Sequence, residues 1–163
     1  SPTFNRFKIS DLTGSGIVAP FDGAFSNGDE MGNLFLMLNN VHVLNCEGWG
    51  VELLDGAPAM MARDCYVVGN DHGGYDIHGS SAGLISGGAV AYNGNSTYAA
   101  AGICAGIRIK ENTSYATSPH NWIVERCEID RNYYNNVRLK EAYLCKEKPK
   151  EGCVRLEAQK GVD

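Results

Sequence analysis

The stretch CYVVGNDHGGYDIH at residues 65–78 decides the fold of this chain. It holds two short apolar runs, residues 66–68 and 75–77, on either side of a polar segment that is rich in glycine. That segment is predicted to be a turn, because it is too polar and too glycine-rich to continue either strand. Successive side chains of a strand point to opposite faces. Tyr75 and Ile77 are therefore predicted to face one way, and the Asp and His at positions 76 and 78 the other.

The same pattern recurs along the chain. Copies occupy residues 41–55, 65–78, 88–111 and 127–141, and a fainter first copy occupies residues 7–19. Gly50 with Gly74, and Asn70 with Asn93, mark a period in the low twenties, and the longer intervals carry loops. Such a period, with short strands and Gly or Asn turns, is typical of a parallel β-solenoid, because no single repeat can bury its own apolar face.

Stacking of the repeats predicts three columns of apolar side chains. The columns are Val43, Val67, Val90 and Ile129; Val51, Tyr75, Ile107 and Val137; and Leu53, Ile77, Ile109 and Leu139. Asn70, Asn93 and Asn132 fall in one register at the turn, where Asn tolerates left-handed backbone angles and can bond to its equivalents in adjacent repeats. The alternative is an antiparallel sandwich with accidental self-similarity.

The repeat resembles the right-handed parallel β-helix of the pectate-lyase and phage-tailspike type over residues 7–141. The resemblance implies an all-β fold, a right-handed parallel β-helix (solenoid) of about five coils with loop insertions. We expect a β-helix domain at residues 1–142 and a C-terminal cap or linker segment at residues 143–163. Lyases, hydrolases, epimerases, adhesins and viral spikes share this repeat, so it supports the fold better than any one activity.

Composition limits the classes of function and partner. The chain has 163 residues, which suits one domain, and a formal net charge of −5, which does not favour nucleic acid as a partner. No run is long and apolar enough for insertion into a membrane. The sequence starts without a Met or a signal-peptide pattern, so we expect a piece of a longer protein. The open ends of the stack need cover, which predicts flanking domains or a homotrimer by analogy with tailspikes.

The six cysteines do not indicate a metal site, because no two have CxxC spacing, and we expect neither a metal nor a cofactor. Cys65 and Cys127 share a register and are predicted to be small apolar residues of a reduced core. We expect mostly free thiols. The exception is Cys145 with Cys153, which could close a disulfide loop in an extracellular protein.

The outward side of the strand after each turn is the candidate site. One outward column holds Val18, Glu52, Asp76, Arg108 and Arg138, and its neighbour holds Pro20, Leu54, His78, Lys110 and Lys140. Adjacent strands of a sheet lie about 4.8 Å apart. The Asp and His of one repeat are therefore predicted to lie beside the Arg and Lys of the next.

This grouping favours an acidic polysaccharide as the ligand. Arginines and lysines on a flat sheet can bind sugar carboxylates or sulfates. A histidine titrates near neutrality, so His78 could move a proton, with Asp76 orienting it or acting with Glu52 as an acid/base pair. For β-elimination or C5 epimerisation of a uronate, Arg108 or Arg138 would neutralise the carboxylate, His78 would remove H5, and a tyrosine on a turn would deliver a proton.

Aromatic side chains outside the core complete the predicted site. Trp49, expected in a turn, could stack on a sugar ring. Tyr98 and Tyr115 lie on the two loop insertions, and a tyrosine there is a better proton donor than Tyr75, which is predicted to face inward. The competing interpretation is that the acidic residues neutralise arginines along an exposed sheet, where such neighbours contribute well under about 1 kcal/mol.

A second resemblance is local. Residues 73–79, GGYDIHG, followed by AVAYN at residues 89–93, are similar to the active-site coil of mannuronan C5-epimerases, whose motif reads YGFDPHE. The resemblance implies catalytic roles for Asp76 and His78, which match the Asp and His of that motif. The chain departs from the motif at positions 73, 77 and 79, where Gly, Ile and Gly replace Tyr, Pro and Glu.

Three functions are consistent with these patterns. We expect a polysaccharide-recognising module of a surface or virion spike, outside the cell or on the virion, that binds a cell-envelope or cell-wall carbohydrate. The first alternative is a polysaccharide lyase, uronate C5-epimerase or glycoside hydrolase that uses Asp76, His78 and Arg108. The second alternative is a structural stalk. The binding module is favoured because the match to the catalytic motif is incomplete.

Overall fold

The computed structural model describes residues 3–19, 36–54, 59–78, 82–100, 104–110, 122–133, 137–140 and 155–157. In these ranges the regular structure is almost all β-strand with parallel pairing, and the helix α1 (Ser96–Ala100) is five residues long. Short apolar runs bounded by Gly and Asn favour strands over helices. The prediction of an all-β chain with parallel sheets is confirmed.

The strands form two open parallel sheets. The nine-stranded sheet contains β1 (Thr3–Asn5), β2 (Lys8–Ser10), β4 (Leu36–Asn39), β5 (His42–Leu44), β7 (Ala59–Val68), β9 (Ala82–Ala91), β11 (Trp122–Glu125), β12 (Glu128–Asp130) and β14 (Arg155–Glu157). The five-stranded sheet contains β3 (Ile17–Ala19), β6 (Trp49–Leu53), β8 (Gly73–His78), β10 (Ala105–Lys110) and β13 (Val137–Lys140), in the order β3-β6-β8-β10-β13. The chain visits the sheets alternately, so each strand of the smaller sheet is followed by a strand of the larger one.

The register of the pairing places equivalent residues of successive repeats side by side. In the smaller sheet Tyr75 pairs with Val51 on one side and with Ile107 on the other. In the larger sheet Val67 pairs with Val43 and with Val90. All three predicted apolar columns are confirmed by the pairings of their members.

One apolar core includes the inward columns of both sheets. Val51, Tyr75 and Ile107 from the smaller sheet are 0% exposed, as are Val43 and Val67 from the larger. Burial of each such side chain stabilises the fold by roughly 1.5–3 kcal/mol. Each residue between two inward members of a strand therefore points away from this core, and that alternation positions the candidate site.

Left-handed backbone recurs in two further columns that the residue types do not indicate. The first holds Arg6, Asn40, Asp64, Gly87 and Arg126, and the second holds Asp11, Asn45, Gly69, Tyr92 and Arg131, with φ from 49° to 72°. A positive φ is uncommon for residues other than glycine. Because it recurs at the same two places in five repeats, the geometry of the repeat imposes it, whichever side chain is present.

An asparagine ladder crosses the turns beside the second left-handed column. Asn70 Nδ2 donates to Asn93 Oδ1 over 2.9 Å, and Asn93 Nδ2 donates to Asn132 Oδ1 over 2.9 Å. Each of these amides also donates to the carbonyl of a strand residue, for example Asn93 Nδ2 to Val67 O over 2.8 Å. The ladder ends where Cys46 N donates to Asn70 Oδ1 over 3.0 Å. The predicted hydrogen bonding between equivalent asparagines is confirmed.

Glycine is the second residue of β6 and of β8, because the backbone there lies against the valine column. A Cβ at Gly50 would lie 2.3 Å from Val67 Cγ1, and a Cβ at Gly74 would lie 2.6 Å from Val90 Cγ1. Carbon atoms in favourable contact are about 3.5–4.0 Å apart. The glycines that mark the sequence period are therefore required by packing.

Replacing Gly74 with alanine is expected to lower the free energy of unfolding by about 1–3 kcal/mol, the usual effect of overpacking a core. The new methyl group would also lie 2.4 Å from Gly106 O, so a side-chain rotation alone cannot relieve the contact. Chemical denaturation measures the change. Gly14→Ala is the matched control, because no atom lies within 4 Å of its Cβ position. An equal loss of unfolding free energy in the two variants would contradict the conclusion that packing requires the glycines that mark the sequence period.

The described cysteines are free, as predicted: Cys46, Cys65 and Cys104 are buried, and Cys127 is half-buried. Burial raises the pKa of Cys65, and burial followed by the charge of Cys65 raises the pKa of Cys127 to about 11. The thiolate is the reactive form of cysteine, so both thiols are poor nucleophiles at neutral pH. The predicted pair Cys145 and Cys153 lies outside the described residues.

Candidate functional site

The outward side of the smaller sheet brings Asp76, His78 and Arg108 into direct contact. Strand β8 places Asp76 and His78 two residues apart, on the side opposite the core, and β10 places Arg108 in register with Asp76. Arg108 Nε donates to Asp76 Oδ1 over 2.7 Å, and Arg108 Nη2 donates to Asp76 Oδ2 over 2.5 Å. His78 Nε2 lies 2.5 Å from Asp76 Oδ2. One carboxylate thus contacts both Arg108 and His78.

The contact is far more buried than the sequence indicated. Asp76 is 1% exposed and Arg108 is 9% exposed, although both lie on the side predicted to be open. The expectation of an exposed charged column is wrong at these two positions. Exposed ion pairs contribute little, but a buried carboxylate needs its partners, because removing one of them leaves an uncompensated charge.

Trp49 occupies a different place from the one expected. It is the first residue of β6 and not part of a turn, and it is 3% exposed. Its indole lies over Gly73, where a Cβ would be 2.0 Å from Trp49 Cζ3. The Arg108 guanidinium lies over the indole, with Cζ 4.5 Å from the ring centroid, in a cation–π contact. The buried indole therefore supports Arg108 and does not offer an open face to a sugar ring.

The partners of Asp76 set its ionisation. Burial raises the pKa of this carboxyl, but the hydrogen bonds and charges of Arg108 and His78 lower it by more, so its pKa lies below the ordinary value of 3.8. The carboxyl is therefore ionised at neutral pH. An ionised carboxylate only accepts hydrogen bonds, so the short contact requires a proton on His78 Nε2.

His78 is the accessible member of the group. Its side chain is 18% exposed, and its Nδ1 has no hydrogen-bond partner among the described residues. With the proton fixed on Nε2, the Nδ1 of a neutral imidazole is an acceptor. The arrangement can accept a proton at Nδ1, and the protonated ring can donate a hydrogen bond to an anion from the same atom.

The other predicted site residues surround this group to different degrees. Glu52 on β6 pairs in register with Asp76, and Lys110 pairs in register with His78; both side chains are half-buried. The Cα atoms of Arg138 and Lys140 on β13 pair with those of Arg108 and Lys110. The side chains of Arg138 and Lys140, and the whole of Tyr115, lie outside the described part of the chain.

Tyr98 lies on α1 and contacts His72, which lies in the polar segment just before β8. The rings of His72 and Tyr98 meet edge to face, with centroids 3.9 Å apart. Tyr75 is fully buried, as predicted of a side chain that faces inward, and its hydroxyl has no hydrogen-bond partner among the described residues. Burial, and then the nearby thiols, raise the pKa of Tyr75 well above its ordinary value, so it is a poor proton donor.

Sequence reasoning missed two features outside this group. Tyr66, which precedes the inward Val67, and Tyr92, which follows β9, are 44% and 55% exposed, and neither was selected from the sequence as a surface aromatic residue. A polar cleft beside Gly87 and Gly88 was also missed. The glycine pair was the only available signal, because a notch forms where side chains are absent between two longer neighbours.

No group of three or more His, Cys, Asp or Glu residues suited to a metal occurs among the residues that the structure describes. The same residues include no helix of the length and apolar character needed to cross a bilayer. Comparisons with family models, with curated proteins and with solved structures found no match for this chain.

Proposed function

We propose that the chain is a right-handed parallel β-helix module that recognises an acidic polysaccharide on the outward side of its smaller sheet. This function would place it on a cell or virion surface, as part of a spike or adhesin. The fold proposal is supported by the alternating visits to two parallel sheets, the asparagine ladder and the two left-handed columns. Each is a feature of stacked repeats.

The observation that carries the binding proposal is His78, held at the surface by a buried carboxylate. A ligand site needs side chains whose orientation is fixed before the ligand arrives. Asp76 is held by its ion pair with Arg108, which the Trp49 indole supports, and Asp76 in turn fixes His78 Nε2. The other ring nitrogen, Nδ1, has no hydrogen-bond partner among the described residues. Desolvating two charges is costly, so a buried pair that orients a half-exposed histidine is a reasonable mark of function.

The charge around His78 suits a uronate better than a neutral sugar. Lys110 lies in register with His78 on the next strand. A protonated imidazole and a neighbouring ammonium can both donate to one sugar carboxylate, and such charge-assisted bonds are stronger than neutral ones. Arg108 contributes by orientation, because its guanidinium already holds both oxygens of Asp76.

The second candidate function is a uronate-processing enzyme, which the contact between Asp76 and His78 favours. In β-elimination His78 Nδ1 would take the proton from C5, the electron pair would form the C4–C5 double bond, and the C4 oxygen would leave. Asp76 would stabilise the resulting imidazolium. Neutralisation of the substrate carboxylate would need a cation other than Arg108, such as Lys110.

Titration with neutral and uronic-acid oligosaccharides tests the two candidates in one calorimetric experiment. We expect the uronic-acid series to bind and the neutral series not to bind. His78→Ala should weaken binding roughly tenfold, about 1.4 kcal/mol, since it removes one charge-assisted bond. His42→Ala is the matched control, because His42 is a half-buried histidine on the larger sheet.

The same samples are monitored for new unsaturated sugar ends, which absorb in the ultraviolet. Binding without turnover supports the recognition module. Turnover that disappears in His78→Ala supports the enzyme instead. Absence of binding to every oligosaccharide would overturn both candidates and leave a structural stalk.

A further inference from the structure

A polar cleft of about 370 Å³ opens on the larger sheet, away from His78. Its lining residues are Arg63, Asp64, Ser86, Gly87, Gly88 and Arg126. The volume falls near the lower end of the range for small-molecule sites, roughly 300–1,000 Å³. The cleft forms because the two glycines interrupt columns that carry side chains in the repeats on either side, so a gap is left between neighbouring repeats.

The glycine pair cannot be filled without rearrangement. Both residues have left-handed backbone, with φ of 72° at Gly87 and 70° at Gly88. A Cβ at Gly87 would lie 2.1 Å from Asp64 Oδ1, and a Cβ at Gly88 would lie 1.9 Å from Cys65 O. The Asp64 carboxylate and the Cys65 backbone already fill the space beside the two glycines, so the glycines contribute only backbone to the lining of the cleft.

Two arginines line this cleft from opposite repeats. The exposed Arg63 guanidinium makes no hydrogen bond or ion pair with any described residue. Arg126 donates through Nη2 to Ser86 Oγ over 2.8 Å and to Glu125 Oε1 over 2.9 Å. Ser86 is 4% exposed, so it provides a firm anchor for Arg126. One arginine is thus held in place, and the other keeps its donors available.

Arg63 is the part of the lining that favours an anion. Arg126 is paired with Glu125, at 2.9 Å, whereas the Arg63 guanidinium has no carboxylate partner among the described residues. Asp64 is the acidic side chain of the lining. A planar guanidinium presents paired donors that match the oxygens of a carboxylate, sulfate or phosphate. Asp64 opposes an anion, so it weakens the site without cancelling it.

We propose that this cleft is a second binding site, which takes an oxyanion group, the sulfate, phosphate or carboxylate of a small polar ligand. Arg63 supplies the main charge-assisted bonds, and Arg126, held by Ser86 and Glu125, borders the site. The site lies on a different sheet from His78. It does not depend on the function proposed above, so either can fail alone.

Sulfate, and separately acetate, is titrated into the protein at constant ionic strength set with chloride, and amide NMR shifts are followed. We expect saturable shifts of the Gly87 and Gly88 amides. Binding of sulfate alone assigns the cleft to a tetrahedral oxyanion, and binding of both probes extends it to a carboxylate. Arg63→Gln should weaken the apparent affinity roughly tenfold, because it removes the main partner.

Two further variants make the test specific. Arg6→Gln is the matched control: Arg6 is an exposed arginine in the same left-handed column, outside the cleft, and its variant should stay within about twofold of the parent protein. Asp64→Asn removes the opposing charge and should tighten binding by roughly threefold. Shifts that never saturate, or equal losses in the Arg63 and Arg6 variants, would overturn the proposal.

Discussion

Replacing Asn93 with alanine is expected to lower the free energy of unfolding by roughly 4 kcal/mol, more than any exposed substitution in the chain. Asn93 is 0% exposed. Its Nδ2 donates to Val67 O and Asn132 Oδ1, and its Oδ1 accepts from the backbone and the side chain of Asn70 over 3.0 and 2.9 Å. Each buried group left without a partner costs about 1–3 kcal/mol, so several losses add in one variant.

Chemical denaturation measures this effect, with Asn39→Ala as the control. Asn39 donates to Asn5 Oδ1 over 2.9 Å in a pair between equivalent positions, but that pair is exposed. Its loss should cost less than about 1 kcal/mol, because water replaces the missing partner. If both variants lose the same free energy of unfolding, the hydrogen bonds of the ladder do not hold successive repeats together.

Asp76→Asn is expected to lower the free energy of unfolding by roughly 3–5 kcal/mol, because the buried Arg108 guanidinium then loses the carboxylate that holds it through two hydrogen bonds. Asp130→Asn is the matched control. Its partner is Arg131, at 3.1 Å, and the two side chains are 51% and 66% exposed, so its loss should cost under about 1 kcal/mol. The double variant Asp76→Asn with Arg108→Gln should recover part of the loss in the free energy of unfolding, since it also removes the buried charge that Asp76 neutralises. If the double variant recovers none of the lost stability, the pair of Asp76 with Arg108 stabilises the fold by packing and not by charge.

The pH dependence of stability provides a second test of the role of the Asp76 carboxylate. The pKa of Asp76 is lower in the folded chain than its ordinary value of 3.8, so folding favours the ionised form. Its contribution to stability is complete above about pH 4, and it is lost as the pH falls through the folded pKa. The stability difference between the parent protein and Asp76→Asn should therefore shrink in acid. A difference that is constant down to about pH 2 would contradict this assignment.

The sequence was sufficient for the register of this fold but not for the surroundings of its site. The alternation in residues 75–78, together with the spacing of Gly50 and Gly74, predicted which residues pair across strands. Alternation predicts on which face of a sheet a side chain lies, but it does not predict whether other side chains bury that face. The burial of Asp76 could therefore not be predicted, because it depends on packing between repeats.

The error at Trp49 has a specific physical cause. Its neighbours Gly48 and Gly50 indicate a turn, but the ring lies over Gly73, which has no side chain in its way. The glycine doublet at positions 73 and 74 serves two purposes: the first glycine makes room for the indole, and the second lies against Val90. The left-handed columns were missed for a related reason, since residues as different as Asp64, Tyr92 and Arg126 adopt the same backbone angles.

Nuclear Overhauser contacts between methyl and aromatic protons test the in-register parallel stack most directly. We predict contacts from Tyr75 to both Val51 and Ile107, and from Ile77 to both Leu53 and Ile109, because these residues pair in parallel order. Antiparallel neighbours would reverse that order. Contacts of Tyr75 with Ile109 and of Ile77 with Ile107, without the parallel set, would contradict both the fold and the site that depends on it.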